Sequence, residues 1–376
     1  MKNNKLQKKI PTGWKFEQMI HLVTSIVSGK SDTKSESGVF PIYGSTGIIG
    51  HKEKSDYSGN KILIARVGAN AGTVNMVSGD YCVSDNTLMV SYRSGVNIEF
   101  QYHYLIKNDL HKLVFGSGQP LITGGHFKKI NLLLPPLPEQ NRIVAVLEVW
   151  DGAIEKLVEK IEIKKRIKKG IASQILNCEL SIINGKKIQA PKLRLPGFSG
   201  EWETVKLGDV CNIKKGKQLN KDDMIINGKY PALNGGIGAS GYTNEWNTKE
   251  NTITISEGGN SCGYLNFNKE KFWCGGHCYA VNPKKNIDNL YLYQFLKVKQ
   301  SKIMCLRVGS GLPNIQKKAL DNLILEIPKT QKEQTAIAEI LTTADLEIEA
   351  LEKRKKIIED QKKYLLNNLI TGKIRV

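Results

Sequence analysis

The chain contains one long pattern twice, about 190 residues apart, and each copy ends in a segment with helical periodicity. At a constant offset of 194, Glu139 and Gln140 fall on Glu333 and Gln334, and Asp151 falls on Asp345. Such a period is far longer than the roughly 20–50 residues of a solenoid unit. The sequence therefore predicts a duplicated unit, in which a globular region precedes a long helix.

The repeat continues upstream of the helices, with less similarity. Trp14 matches Trp202 and Pro41 matches Pro231, while residues 66–70 align with 256–260 and residues 115–120 align with 308–313. Between these matches the two copies diverge and require small insertions. This pattern indicates a common scaffold that carries two differently tuned surfaces.

Apolar residues in both tails recur at alternating steps of four and three, which is the heptad spacing of a coiled coil. A helix of about 40 residues would be about 60 Å long. If the two helices run antiparallel, the globular domains lie at opposite ends, related by a pseudo-two-fold axis. The predicted partner-helix seam comprises Ile143, Leu147, Trp150, Ile154 and Leu157 in the first copy and Ile337, Leu341, Ile348 and Leu351 in the second.

The regions between the tails are rich in Gly, Asn, Ser and Tyr and contain short β-like runs, for example 61–65 and 251–255. Segments 100–106 and 290–296 are the best candidates for helices within them. We expect an α+β (mixed α/β) fold with two pseudo-symmetric globular domains joined by two long antiparallel coiled-coil helices. The expected order is a first domain (1–136), a first helix (137–180), a linker (181–197), a second domain (198–328) and a second helix (329–376).

The formal net charge of +19 favours a polyanionic partner, with nucleic acid as the first choice and a membrane surface as the second. A basic protein with no role in nucleic-acid binding remains an alternative. No apolar run approaches the roughly 18–20 residues that span a bilayer, and the first residues lack the apolar core of a secretory signal. Seven irregularly spaced cysteines favour a reducing cytoplasm. We therefore expect a cytoplasmic protein with no membrane partner.

Three stretches resemble a known family in their order along the chain. They are Leu-Pro-Pro-Leu-Pro-Glu-Gln at 134–140 before the first helix, Pro-Lys-Leu-Arg-Leu-Pro-Gly-Phe at 191–198 followed by Lys-Leu-Gly-Asp-Val at 206–210, and the closing run 365–376. With these stretches, essentially the whole chain resembles the specificity subunit of type I restriction-modification systems. The first copy departs from the pattern because it opens at 14–20 without Leu-Gly-Asp, and the second lacks the double proline.

The resemblance implies a DNA specificity subunit in a prokaryotic cytoplasm. Each globular domain would be a target-recognition domain that reads one half of a bipartite site in double-stranded DNA. The helices would set the spacer and dock two modification (methyltransferase) subunits, and restriction (ATPase and nuclease) subunits would join through these. The chain itself would be non-catalytic and hold no cofactor, with S-adenosylmethionine, ATP and magnesium on the partner subunits.

Candidate DNA contacts are polar or basic residues in Gly-rich loops, at roughly corresponding positions of the two copies. Such side chains read base edges, and lysine, arginine and backbone N–H groups contact phosphates. Each is also compatible with an ordinary surface turn. The candidates are Lys30, Ser45, Thr46, Arg66, Asn70 and Asn86 in the first copy, and Lys214, Lys215, Lys217, Asn234, Asn260 and His277 in the second.

The sequence offers little support for catalysis. Residues 134–137 lack the flanking residues of an amino-methyltransferase motif, and no phosphate-binding G-x-x-x-x-G-K-[ST] motif is present. Cys274, His277 and Cys278 are three conceivable zinc ligands, but a loop at a strand end explains them better, and we predict no metal site. Two rival functions remain: a structural or degenerate scaffold that reads no sequence, and a standalone DNA methyltransferase.

Overall fold

The computed structural model describes residues 10–32, 37–116, 120–183, 186–309, 311 and 313–376. The chain divides into two compact units. The first unit comprises Met1–Val158 and Arg354–Val376, and the second comprises Glu159–Lys353. Each unit therefore contains one globular region, part of the first long helix and part of the second.

Short elements make up the globular region of the first unit. Its helices are α1 (Met19–Leu22), α2 (Ile98–Asn108) and α3 (Gly124–Lys128), with a 3₁₀ turn at Leu110–Leu113. Its strands are β1 (Lys15–Gln18), β2 (Val23–Ser28), β3 (Phe40–Gly44), β4 (Gly47–Lys52), β5 (Tyr57–Ser58), β6 (Lys61–Ala65), β7 (Val74–Val77), β8 (Asp80–Val83), β9 (Thr87–Tyr92) and β10 (Asn131–Leu134).

Two four-stranded sheets form the centre of this region. One is antiparallel, in the order β2-β9-β6-β7, and the other has the order β4-β3-β8-β5 with β3 and β8 parallel. Strand β1 pairs with β10, so the two ends of the globular region meet. The predicted strand at 61–65 is confirmed as β6, and the predicted helix at 100–106 lies within α2.

The first long helix, α4 (Leu137–Leu176), ends earlier than residue 180, the end expected from the sequence. The chain then enters a hairpin of β11 (Cys178–Ile183) and β12 (Lys186–Pro191), in which Cys178 pairs with Pro191. Much of the segment expected to be a linker is therefore paired strand. The backbone N–H and C=O groups of this segment form hydrogen bonds between the two strands instead of continuing the helix.

The second unit repeats the scaffold. Its helices are α5 (Leu207–Val210), α6 (Asn289–Val298), α7 (Gln300–Met304), α8 (Lys317–Asp321) and the long α9 (Gln331–Leu369), with a 3₁₀ turn at Lys221–Asp223. Its further strands are β13 (Glu203–Lys206), β14 (Cys211–Lys215), β15 (Tyr230–Leu233), β16 (Gly241–Thr243), β17 (Thr252–Ser256), β18 (Leu265–Asn268), β19 (Trp273–Cys274), β20 (Cys278–Pro283) and β21 (Ile324–Ile327).

Sheet order is the clearest sign of duplication. The order β14-β20-β17-β18 repeats β2-β9-β6-β7, and β16-β15-β19 repeats β4-β3-β8. Strands β13 and β21 pair as β1 and β10 do. Helix α1 lies at the position of α5, so the first copy keeps this element although it lacks Leu-Gly-Asp. The predicted α+β architecture with a duplicated scaffold is confirmed.

Each unit has its own main apolar core, and the long helix that follows the globular region contributes to it. Ile143 and Leu147 of α4 are buried with the sheets of the first unit. Ile337 and Leu341 of α9 are buried in the same way in the second unit. The first turns of each long helix therefore pack against a globular region before the helix continues.

A buried carboxylate anchors α4 in the first unit. Glu139, which is 3% exposed, accepts a hydrogen bond of 3.0 Å from Trp14 Nε1. Arg375, near the end of the chain, donates to both oxygens of the same carboxylate, at 2.8 Å from its Nη2. A buried carboxylate is costly unless it is paired and hydrogen-bonded, so Glu139 requires both partners.

The second unit builds the same anchor with a different arginine. Glu333 accepts from Trp202 Nε1 at 3.2 Å and from Arg194 Nε and Nη2 at 3.0 and 2.8 Å. Two parallel N–H···O bonds give this pair orientation as well as energy. The arginines sit in similar short runs, Lys-Leu-Arg-Leu at 192–195 and Lys-Ile-Arg-Val at 373–376, which follow the two long helices.

The glutamine after each glutamate forms a second anchor. Gln140 Nε2 donates to the carbonyl of Pro135 at 2.9 Å, and Gln334 Nε2 donates to that of Pro328 at 3.0 Å. The amide oxygens of both glutamines accept backbone N–H groups at the start of α2 and α6, at 3.2 and 2.8 Å. One buried side chain thus ties the long helix to both the last strand and a helix of its globular region.

Within each unit the segments of the two long helices lie antiparallel and are joined by ion pairs. In the second unit Lys164 contacts Glu347 at 2.7 Å and Lys168 contacts Asp345 at 2.6 Å. In the first unit Asp151 pairs with Lys362. The predicted antiparallel pairing is confirmed within each unit. None of the helices in the described ranges combines the length and apolar character needed to cross a membrane.

The anchor of the second unit predicts a large loss of stability for Glu333→Ala. The substitution leaves the largely buried Arg194 without its carboxylate partner, and breaking a buried ion pair costs about 3–5 kcal/mol. Urea unfolding followed by tryptophan fluorescence measures this loss. Glu148→Ala, an exposed position on α4, is the control. Equal midpoints for the two variants would contradict the anchor role.

His103 predicts a pH dependence of stability. Burial, with a smaller effect of the nearby Lys362 ammonium, lowers the pKa of His103 to about 4. Because the unfolded chain has a histidine pKa near 6.5, the neutral form stabilises the fold fully above that pH. This stability is lost as pH falls from about 6.5 towards 4, and about 2 kcal/mol is lost by pH 5.

The free energy of unfolding measured at pH 7.5 and pH 5 in the wild type and in His103→Phe tests this assignment. The variant removes the titrating group, so its stability should fall less between the two pH values. Identical pH dependence in the two proteins would contradict it.

Candidate nucleic-acid interface

A cluster of loops at one end of the sheets of the first unit contains the first six candidate residues. We define this first loop cluster as residues 28–31, 44–47, 65–72 and 83–87. Arg66 follows the buried strand β6, and its backbone N–H donates to the carbonyl of Asn86 at 2.9 Å. Gly29 N–H, next to Lys30, donates to the Thr87 carbonyl at 3.0 Å. The fold therefore places Lys30, Arg66 and Asn86 on adjoining loops.

The other candidates of the first copy lie at the edges of this cluster. Ser45 and Thr46 form the tip between β3 and β4, and Ser84 N–H donates to the Tyr43 carbonyl just before that tip at 2.9 Å. Asn70 lies in an exposed turn, and its backbone carbonyl accepts a hydrogen bond from Thr73 N–H at 2.9 Å. The six residues thus lie in loops at the same end of the sheets, with Asn70 in an exposed turn.

Glycine allows the loops to approach closely. A Cβ atom at Gly29 would lie 2.1 Å from the carbonyl oxygen of Val83, and one at Gly216 would lie 2.3 Å from that of Cys274. A side chain at either position would force the backbones apart. Both glycines therefore hold a basic loop against a neighbouring loop: the loop at Lys30 lies against the loop that precedes β9, and the loop at Lys217 lies against the loop that precedes β20.

The second loop cluster, residues 214–217, 233–236, 256–263 and 274–278, repeats the hydrogen bonds of the first. Glu257 N–H donates to the His277 carbonyl at 2.9 Å, and Gly216 N–H donates to the Cys278 carbonyl at 2.9 Å. Asn234 Oδ1 accepts from His277 N–H at 3.4 Å. Lys215, Lys217, Asn234 and His277 therefore lie on adjoining loops, as their counterparts do.

Lysines line a cleft beside the second cluster. Lys214, Lys215, Lys217 and Lys249 all line a space of about 410 Å³. Lys249 was not among the candidates, because nothing in the sequence relates it to residues 214–217. Lysines at a concave surface suit a phosphate backbone.

The hydrogen bonds correct one alignment made from the sequence. Matching residues 66–70 with 256–260 placed Arg66 on Ser256 and Asn70 on Asn260. In the structure Arg66 corresponds to Glu257. Their backbone N–H groups donate to the carbonyls of Asn86 and His277, and their own carbonyls accept from the N–H groups of Ile122 and Ile315, respectively. Asn260 is thus shifted by one residue relative to Asn70, although it lies on the same exposed turn of its cluster.

Glu257 lies at the centre of the second cluster, although it is not among the candidates expected from the sequence. Its carboxylate accepts from Lys215 Nζ at 2.6 Å and from the Tyr279 hydroxyl at 3.0 Å, and His277 Nδ1 lies 3.6 Å away. Hydrogen-bond donors and amides are the common DNA contacts, so a carboxylate in a basic protein does not stand out in the sequence. Its position between Ser256 and Gly258, at a strand end, was the available signal.

Cys274, His277 and Cys278 do not converge as metal ligands. The two cysteines are buried, whereas the His277 side chain is 62% exposed and faces Glu257. A hydrogen bond with the Cys274 thiol, together with burial, raises the pKa of Cys278, so this thiol stays protonated. Within the described ranges, no group of three His, Cys, Asp or Glu side chains is arranged to hold a metal ion.

The predicted seam residues fall into two groups. Ile143, Leu147, Ile337, Leu341 and Ile348 are buried, the first four in the cores of their units. The second group is half-buried and comprises Trp150, Ile154, Leu157 and Leu351. Much of the seam is therefore used to dock each helix on its globular region, and its role between the two helices stays a prediction.

Comparisons with known proteins agree with this architecture. A family model described as the type I restriction modification DNA specificity domain matches residues 23–169 and 199–360. A crystal structure of the type I restriction-modification S subunit from M. genitalium superimposes over 97% of both chains with a TM-score of 0.69 at 21% identity. At that identity the likeness concerns the fold.

Curated relatives match in sequence as well. A Mycoplasma pneumoniae protein assigned as a type I specificity subunit is 39% identical over 163 residues, 43% of each chain. The specificity subunit of the Escherichia coli type I restriction enzyme EcoprrI is 28% identical over 40% of this chain and 37% of its own. The chain thus matches less than half the length of these relatives. The Methanocaldococcus jannaschii MjaVIII specificity subunit is 26% identical over 84% of this chain and 80% of its own.

The two domain matches cover most of the chain and fall on its two structural repeats, each with a globular region and a long helix. The chain therefore belongs to the family of type I restriction-modification DNA specificity proteins.

Proposed function

We propose that this chain is the DNA specificity subunit of a type I restriction-modification complex, in which each loop cluster reads one half of a bipartite target. The observation that carries the proposal is the repetition of one loop cluster on two copies of a scaffold, with different side chains on each. A net charge of +19 supports a polyanionic ligand. The regions 1–136 and 198–328 are accordingly the two target-recognition domains in this proposal.

The long helices would set the spacing between the half-sites and dock partner subunits. Modules that read one face of a duplex must lie about one helical turn, roughly 34 Å, or a multiple of it apart. Each helix is continuous over about 40 residues and is anchored on its globular region by a buried glutamate and glutamine. Such an element keeps a fixed length, which a flexible linker would not.

In this proposal the chain is non-catalytic. Two modification subunits would bind S-adenosylmethionine and methylate adenine, and restriction subunits would join through them and use ATP and magnesium. The loop clusters supply hydrogen-bond donors and acceptors on a surface, which suits recognition. Methylation by the purified chain alone would show instead a standalone methyltransferase, and partner binding without sequence preference would show a scaffold.

The division of labour predicts the result of exchanging one domain. Replacing residues 198–328 with the corresponding region of another specificity subunit should change one half of the methylated motif and leave the other half and the gap unchanged. Genome-wide mapping of adenine methylation, with the modification subunit expressed alongside, measures this. Changes in both halves would contradict independent reading by the two domains.

The length of the two long helices predicts the number of base pairs between the two half-sites. Adding four residues to each helix, within segments 154–171 and 348–365, lengthens each by about 6 Å, which corresponds to about one or two base pairs along the duplex. The bases of both half-sites should stay the same while the gap grows. If the complex assembled but recognised no motif, or if the gap stayed the same, the helices would not set the spacing between the half-sites.

The lysine cleft predicts a sequence-independent loss of affinity. Lys217→Gln and Lys249→Gln should each weaken binding of the assembled complex to specific and nonspecific duplexes alike, because these ammonium groups are placed to contact phosphates. Each substitution should also reduce the slope of log affinity against log salt by about 1. Lys332→Gln, an exposed position at the start of α9, is the control. If a cleft variant had the same DNA affinity and salt dependence as this control, that lysine would not contact DNA.

A further inference from the structure

The two loop clusters carry opposite charges at the same backbone position. Arg66 and Glu257 each follow a buried strand, and each donates its N–H to a carbonyl on the neighbouring loop at 2.9 Å. The carbonyls of both residues accept an N–H group at 2.9 and 2.8 Å, from Ile122 and Ile315 respectively. The scaffold is therefore the same while the side chain changes from a cation to an anion.

The side-chain partners also occupy equivalent positions. Arg66 Nη1 donates to Ser28 Oγ at 3.2 Å, and Lys215 Nζ donates to Glu257 Oε1 at 2.6 Å. Ser28 and Lys215 are the last residues of β2 and β14, and both strands pair with the equivalent strands β9 and β20. The direction of the hydrogen bond between these two positions is thus reversed from one cluster to the other.

Glu257 lines a cleft, and its two carboxylate oxygens have different neighbours. The bonds from Lys215 and Tyr279 both reach Oε1, whereas Oε2 lies 3.6 Å from His277 Nδ1, beyond hydrogen-bonding distance. The cleft beside this carboxylate has a volume of about 430 Å³ and is lined by Lys215, Asn234, His277 and backbone of the Gly258–Gly259 turn, among others. Because Lys215 Nζ holds Oε1 at 2.6 Å, the carboxylate is oriented before any ligand binds.

We propose that this shared position reads a base in each half-site, with opposite hydrogen-bonding polarity. Arg66 donates to the O6 and N7 acceptors of guanine in the first half-site. Glu257 accepts from the exocyclic amino group of cytosine or adenine in the second half-site. These are the pairings that the donor and acceptor patterns of the major groove permit. The inference rests on the proposed function, because it assigns one position within the DNA-reading surface.

Glu257→Gln tests the assignment in the complex with the modification subunit. The amide keeps the size of the side chain and removes its charge, and it both donates and accepts, so it distinguishes an amino group from a carbonyl poorly. Competition binding uses duplexes with the motif established for the wild type and with every substitution in each half-site. Glu270→Gln, an exposed residue of the same domain, is the matched control.

The expected result is a loss of roughly 10-fold in discrimination at one base pair of the second half-site, with the first half-site unchanged. Substitutions at that pair also show whether cytosine or adenine is read. Arg66→Gln should relax one G·C pair of the first half-site alone. Unchanged preferences in Glu257→Gln, or changes in the first half-site, would overturn the assignment.

Two controls separate this inference from other failures. If the wild-type complex shows no split motif, the proposed function fails, whatever Glu257 does. If Glu257→Gln is unfolded by its urea midpoint, Glu257→Asp replaces it, since this variant keeps the charge but withdraws the carboxylate by one methylene. Glu257→Asp should show the same relaxed position, and retention of full discrimination by the folded variant would overturn the inference.

Discussion

A buried glutamate at the start of each long helix is the interaction on which the rest of the structure depends. Glu139 and Glu333 are almost fully buried, and each accepts from a tryptophan indole and from an arginine guanidinium. Each lies where the last strand of a globular region meets its helix, and in both cases the arginine comes from the segment that follows the other long helix. Without these partners the carboxylate would be buried and unpaired, so the joint between domain and helix is held in one geometry.

This joint explains why the helical tails are more alike than the globular regions. In both copies the glutamate accepts hydrogen bonds from a tryptophan and an arginine, and the glutamine bonds to backbone groups of the globular region. These shared contacts leave little freedom for substitution at the two positions. The loop clusters have no such constraint beyond their glycines and backbone hydrogen bonds. They are free to differ, and the exchange of Arg66 for Glu257 on one scaffold is the clearest example.

The sequence predicted the periodic elements well and the side-chain geometry poorly. Strand β6 and the position of α2 follow from local periodicity, and the two long helices follow from the heptad spacing and the repeat. The role of Glu139 could not be predicted, since Trp14 and Arg375 are distant in sequence. The end of α4 at Leu176 was also missed, because strand pairing within the following hairpin overrides helical propensity. Among the site residues, Glu257 was missed because a carboxylate in a basic chain is not an obvious DNA contact.

Adenine methylation mapped across the genome, in cells with and without this chain, tests the central claim most directly. The modification subunit is expressed in both. If each loop cluster reads one half-site, a split motif with a fixed gap is present with the chain and lost without it. The same methylation in both cells, or a motif without two separate halves, would contradict recognition by two loop clusters on one repeated scaffold.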